Sequence, residues 1–229
     1  MKTLIISLIF FPLLLIGQNK YLTSYPNFGL EIKNKTFFYT EYPDDFRIYG
    51  ECNSYLDCRN EYPEQTLMSI LSADNYQWDR QNFNYDIKNN AEKYKTIKQV
   101  SKKEAYFNLL LKVTFESNGF EYAIVKYHIK EKDKMILGCS ILIKNDTKWL
   151  VIKPSGSLTN AFFMFNYLSV RSLGAVLNNK SIGLASFDRQ IKDIHSSGIL
   201  DFTKAINSTS SSNMSDQELN MILDPLFNQ

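Results

Sequence analysis

The sequence predicts an α+β fold: a four-stranded antiparallel meander packed with helices, followed by a helical C-terminal extension. Three observations predict it. Residues 105 to 153 alternate apolar and polar side chains in period two over four runs separated by turn residues. Two stretches before them carry apolar residues at helical spacing, and so does the segment 157–207 after them. No internal repeat interrupts this order.

The chain begins Met1-Lys2, followed by an apolar run from Leu4 to Ile16 that only Ser7 and Pro12 break, and then Gly17-Gln18. One basic residue, a short apolar run and a small residue form a secretory signal pattern over 1–17, with cleavage expected after Gly17. The run falls short of the ~20 residues that a spanning helix needs. No second run reaches that length, so no membrane span is expected in the mature chain. The formal net charge is +2, from 26 basic and 24 acidic residues. Losing Lys2 leaves a near-neutral chain with interspersed signs, which excludes the electrostatic footprint of a nucleic-acid binder.

Residues 18–61 are predicted as an irregular N-terminal segment with early strands possible at 35–42 and 47–49, bounded by Pro26 and Pro43. Cys52 and Cys58 lie in a polar stretch and are expected to close a small disulfide loop in an oxidising compartment. A metal pair would need partners, and His128, His195 and Cys139 are the only other candidates. Cys139 falls on the apolar face of a strand and reads as a buried, inert thiol.

An α+β domain is expected over 62–156. Tyr62-Pro63-Glu64 opens its first helix: proline suits the first turn, and Glu64 suits the positive end of the dipole. Leu67, Met68, Ile70 and Leu71 form its apolar stripe, ending near Asp74. Gln77 to Tyr85 reads as an aromatic, polar connector. Asp86 is placed as the cap of a second helix in which Ile87, Ala91, Tyr94 and Ile97 recur. The lysines from Lys93 to Lys103 read as its solvated face.

In the meander, Phe107, Leu109, Leu111, Val113 and Phe115 share one face, and Leu110 is the only aliphatic residue on the other. The second run places Ala123, Val125, Tyr127 and Ile129 together, opposite Tyr122, Ile124, Lys126 and His128. A two-residue Asn118-Gly119 loop would set Lys126 and His128 among the leucines and face Glu116 with Glu121. A three-residue loop instead pairs Val113 with Ala123, Leu111 with Val125 and Leu109 with Tyr127, and is favoured because a one-residue slip exchanges faces. The charged turn Glu131 to Lys134 leads to the third run, Met135 to Lys144, with Leu137, Cys139, Ile141 and Ile143 continuing the apolar face. The fourth, Lys148 to Lys153, leaves open whether Trp149 and Val151 or Leu150 and Ile152 point inward.

A helical segment packed on the domain is expected over 157–207. Leu158 to Asn178 is apolar on more than one stripe, and a further helix runs from a Ser186 cap to about Ser196. Residues 208–229 read as a Ser-rich linker and a short terminal helix with a Ser215-Asp-Gln-Glu218 capping box. Five Asn-x-Ser/Thr triplets, starting at Asn34, Asn145, Asn179, Asn207 and Asn213, are expected by chance in so Asn- and Ser-rich a chain.

There is no phosphate-cradling glycine loop, no nucleophile elbow and no His-Glu-x-x-His helix, so no cofactor or metal is expected. His128 is the one histidine that chemistry could use. In the favoured register it faces Asn108 beside Tyr122 and Lys126, and these four residues are the candidate ligand-binding set. The bland alternative is a histidine between lysines with no carboxylate to orient it. His195 reads as a cation at a helix C-terminus.

Tyr62 to Asp74, Asp86 to Gln99, and then the four runs ending in Trp149-Leu-Val-Ile152 resemble the helix-then-curved-sheet layout of the NTF2-like (cystatin-like) superfamily. The hairpin from Ile141 to Ile152 is similar to the closing hairpin of its secreted members. The resemblance implies a conical half-barrel with a pocket, in a family of both enzymes and binding domains. It carries over no catalytic residue, and the helical C-terminal third departs from it. The leading expectation is a secreted or periplasmic, non-catalytic domain that binds a small molecule or a protein partner. A pocket hydrolase or isomerase using His128 is one alternative, and a secreted inhibitor or immunity-type protein is another.

Overall fold

A computed structural model describes residues 27–32, 35–99, 105–131, 134–155 and 157–197. The signal pattern, the Ser-rich linker, the terminal helix and the middle of the 131–134 turn lie outside the described residues.

The fold is α+β, with an antiparallel sheet and, among the described residues, six α-helices. The meander is present as β4 (Tyr106–Ser117), β5 (Phe120–Glu131), β6 (Lys134–Asn145) and β7 (Lys148–Val151). The sheet is larger than four strands, because segment 18–61 supplies β1 (Asn27–Ile32), which the sequence does not suggest, and β2 (Lys35–Glu41) and β3 (Arg47–Tyr49), at the early strands expected over 35–42 and 47–49. The order is β1-β2-β4-β5-β6-β7, with β3 pairing β4 beyond the end of β2.

The β4–β5 turn corrects the expected register. Asn118 and Gly119 both have positive φ, at 52° and 77°, which makes a two-residue loop. Val113 therefore pairs with Ile124, Leu111 with Lys126, and Glu116 with Glu121. Glu121 answers the resulting like-charge pair by bonding Lys144 at 2.8 Å. The pairing then slips at Leu110, and beyond it Leu109 meets Tyr127 and Asn108 meets His128, as anticipated. This bulge is held at the point where β4 changes partner. Tyr42 N–H donates to the Leu110 carbonyl, and Leu109 N–H donates to the Phe46 carbonyl.

The bulge hands β4 from one face of the sheet to the other. Leu111, Val113 and Phe115 join Tyr122, Ile124, Cys139 and Ile141 in one core. Leu109 and Phe107 join Ala123, Val125, Leu142, Trp149 and Val151 in a second. Both faces are buried, and Trp149 and Val151 are the inward pair of β7.

The first core is roofed by α4 (Ser157–Tyr167), α5 (Val170–Asn178) and α6 (Ala185–Ser197). The long helix expected over 158–178 is broken at Leu168-Ser169, where the Ser169 hydroxyl accepts from Ser172 N–H and caps α5. Ser186 lies inside α6 rather than at its cap. The second core is covered by α1 (Pro63–Ser72), α2 (Tyr76–Arg80) and the Cys52–Cys58 disulfide, whose Cα atoms are 6.0 Å apart. The expected connector thus contains a helix, capped by Asn75, which accepts from Trp78 N–H. α3 (Ala91–Gln99) starts later than predicted: Asn90 accepts from Lys93 N–H, while Asp86 binds Arg80. Among the described residues, no helix is long and apolar enough to cross a membrane.

Candidate functional site

The four residues chosen from the sequence share one face of the sheet, but that face is roofed. Tyr122 is buried and stacks on Phe115, with ring centroids 5.4 Å apart. Burial pushes its phenol above the ordinary value. Lys126 is 1 % exposed, and its ammonium donates to the Phe165 carbonyl of α4. Burial lowers its pKa from 10.5 to about 8, and Cys139 is the second influence. The Cys139 thiol, in turn, is pushed up to about 12 by burial. It donates to the Phe162 carbonyl and accepts from Asn166, each at 3.4 Å. His128 is half-buried, and burial, then Lys126, hold its pKa below the usual histidine value. Among the described residues no carboxylate bonds its ring. Asn108 faces it across the strands, and the Asn108 Oδ1 is buried without a partner among them. Helices α4 to α6 fill the space above Tyr122 and Lys126, so the four residues reach no common opening. His195 bonds the Val176 carbonyl across the α5–α6 pair.

The exposed chemistry lies at the other end of the sheet. Beyond Trp149 the outer edge of β7 is covered. Trp149 N–H donates to the Asn60 carbonyl, Val151 N–H to the Asn82 carbonyl, and Asn84 N–H to the Val151 carbonyl. β6 is three times as long as β7 and pairs with it only from Leu142 to Asn145. Ile152 N–H donates to the Ile141 carbonyl at 2.9 Å, the last bond on that side. In an antiparallel ladder alternate residues point their backbone groups the same way. Met135, Leu137 and Cys139 therefore aim N–H and C=O at an edge that no described strand occupies. The side chains there are apolar and open: Met135 is 52 % exposed, Ile136 50 % and Leu137 38 %.

Where β7 parts from β6, this edge adjoins a cleft of about 370 Å³. Leu67 and Ile70 of α1, Phe83, Tyr85, Tyr127 and Phe162 line it, and Lys153, whose ammonium lies 4.9 Å from the Tyr85 ring centroid, stands at its rim. Tyr127 lies over Gly138, where an added Cβ would come within 3.0 Å of its ring, and its hydroxyl bonds Ser140 Oγ at 2.9 Å. Burial raises the Tyr127 phenol to about 12 and also raises that of Tyr85. The cleft and its edge offer apolar surface and protonated hydrogen-bond donors.

Sequence reading placed β6 correctly but did not single out its edge. The signal was present: Met135 to Ile143 carries no charge, and the following strand is too short to cover it. No group of three or more potential metal ligands occurs among the described residues. Comparison with known proteins adds no relative: no family model, no curated protein and no solved structure matches the chain.

Proposed function

We propose that this chain is a secreted or periplasmic, non-catalytic α+β domain that acts by docking a protein, and that the open half of β6 is the docking element. The observation that carries this reading is the coincidence of backbone unpaired among the described residues with three exposed apolar side chains at Met135, Ile136 and Leu137. Soluble sheets usually defend such an edge with lysine, proline or a covering loop. Here β7 has a cover and β6 has none among the described residues. An added strand gains main-chain hydrogen bonds from the edge and side-chain pockets from its flanks, and the adjoining cleft is such a pocket. The paired cysteines and the signal pattern at 1–17 support the oxidising compartment. The helix-then-sheet layout keeps the NTF2-like resemblance within this proposal. The roof over Tyr122 and Lys126 weighs against an enzyme built on His128.

Selection of a displayed random-peptide library on the immobilised chain tests the reading. Extended, alternately apolar peptides are expected to enrich and to lose binding to a Leu137→Pro variant, whose missing N–H faces the open edge and not β5. Failure of any peptide to enrich, or equal binding to that variant, overturns the docking edge.

A further inference from the structure

Resting on that docking edge, we infer that its occupant is the same strand of a second copy, paired antiparallel about a two-fold axis through Leu137. The open window runs from Met135 to Cys139, between the turn that enters β6 and the Ile152 bond to Ile141. A second β6 laid across it presents a window of the same length. With Leu137 opposite its own copy, Met135 faces Cys139 and Ile136 faces Gly138. All three odd residues of each strand then exchange N–H and C=O bonds, because their backbone groups already point outward. Ile136 meets Gly138, over which the Tyr127 ring lies, and the two Leu137 residues meet at the axis.

Charge selects the same occupant. Met135 to Ile143 contains no charged residue, so self-pairing opposes no like charges within the window. The edge likewise holds no charge by which it could choose a foreign strand. The area sets the strength. Five residues and three exposed side chains bury less than the roughly 800 Å² per partner of a standard interface. The dimer is therefore concentration-dependent, not obligate.

Sedimentation equilibrium of the purified, disulfide-bonded chain over ~10 to ~500 μM tests the inference, a range chosen for an interface of sub-standard size. The average mass is expected to climb from one chain toward two. Leu137→Lys places two ammonium groups at the axis and is expected to weaken association at least ~10-fold, as is Leu137→Pro, each checked for native circular dichroism. Leu56→Lys, at the exposed tip of the disulfide loop, is expected to change nothing. A single-chain mass throughout, or a dimer that both Leu137 variants leave intact, overturns self-pairing. If the chain stays single yet enriches strand-forming peptides, self-pairing fails while the docking edge stands; if neither occurs, both fail.

Discussion

The two faces of the sheet are both closed, but they are closed by different chemistry. The α4–α6 side is almost wholly aliphatic and aromatic, and its buried charge, Lys126, donates to a main-chain oxygen with no counter-charge among the described residues. The α1–α2 side is laced with polar bonds. Glu64, 1 % exposed, accepts from Lys112 at 2.5 Å and from the Tyr42 hydroxyl. Asp79 accepts from Lys93 at 2.7 Å and Tyr94 at 3.1 Å, Trp78 Nε1 donates to Ser69, and the Thr66 hydroxyl donates to the Trp149 carbonyl. A buried charge with partners fixes the geometry of an interface; a buried charge without a counter-charge depends on its own protonation. The first face should therefore respond to pH and the second to the loss of a partner.

The largest effect tests the polar face. Glu64→Ala removes the carboxylate to which Lys112 and the Tyr42 hydroxyl donate and is expected to cost about 3–5 kcal/mol in urea unfolding. A loss below about 1 kcal/mol would erase the contrast between the faces. Next, Cys52→Ser with Cys58→Ser opens a short loop whose ends are both buried in that core. The expected cost is about 2 kcal/mol, read from the same transition.

A smaller effect distinguishes the aliphatic face. The folded-state pKa of Lys126 lies below its unfolded value, so the unfolded chain binds more protons between about 8 and 10.5. Stability is expected to rise as pH goes from 8 to 9.5, less an opposing fall from Cys139, whose thiol ionises more readily unfolded than folded, and Lys126→Met is expected to abolish that rise without loss at pH 7. Above pH 10 the sign reverses, because Cys139, Tyr122 and Tyr127 all ionise more readily unfolded than folded. Urea midpoints at pH 7, 8 and 9.5 decide it, and a wild-type curve that falls over that window contradicts the assignment. Smallest of all, Gly119→Ala strains a left-handed turn that serves both faces alike, at about 1 kcal/mol. Its thermal midpoint should fall with no change in the pH response.

The strands of the meander were legible because alternation over ten or more residues is a strong signal. The β4–β5 register was not, and the reason is particular. Alternation decides a register when one face is wet. Here a second layer of helices dries the other face, so Ile124 and Tyr122 belong inside as much as Val125 does. Lys126 looked out of place among leucines, yet its methylene stem packs with them and its head reaches a carbonyl that α4 supplies from 39 residues away. His128 was kept in its expected pairing by the irregularity at Leu110, the residue that broke the alternation in the sequence. The disulfide was legible from spacing and compartment, and the first helix from Pro63 and its apolar stripe. The candidate set was identified by residue type, but its roof came from helices whose docking has no local signature.

Leu110 also sets how tolerant the chain is to changes of length. A deletion in a surface loop shortens a connection; a deletion at this position removes the extra residue of the bulge, makes β4 strictly alternating, and leaves Phe107 and Leu109 on the disulfide side and Leu111 on the other. A variant missing that single residue should therefore fold with both cores intact, as should one shortened at the tip of the Tyr55–Asp57 turn, while a one-residue deletion at Lys112 or Thr114 exchanges faces and should yield insoluble product.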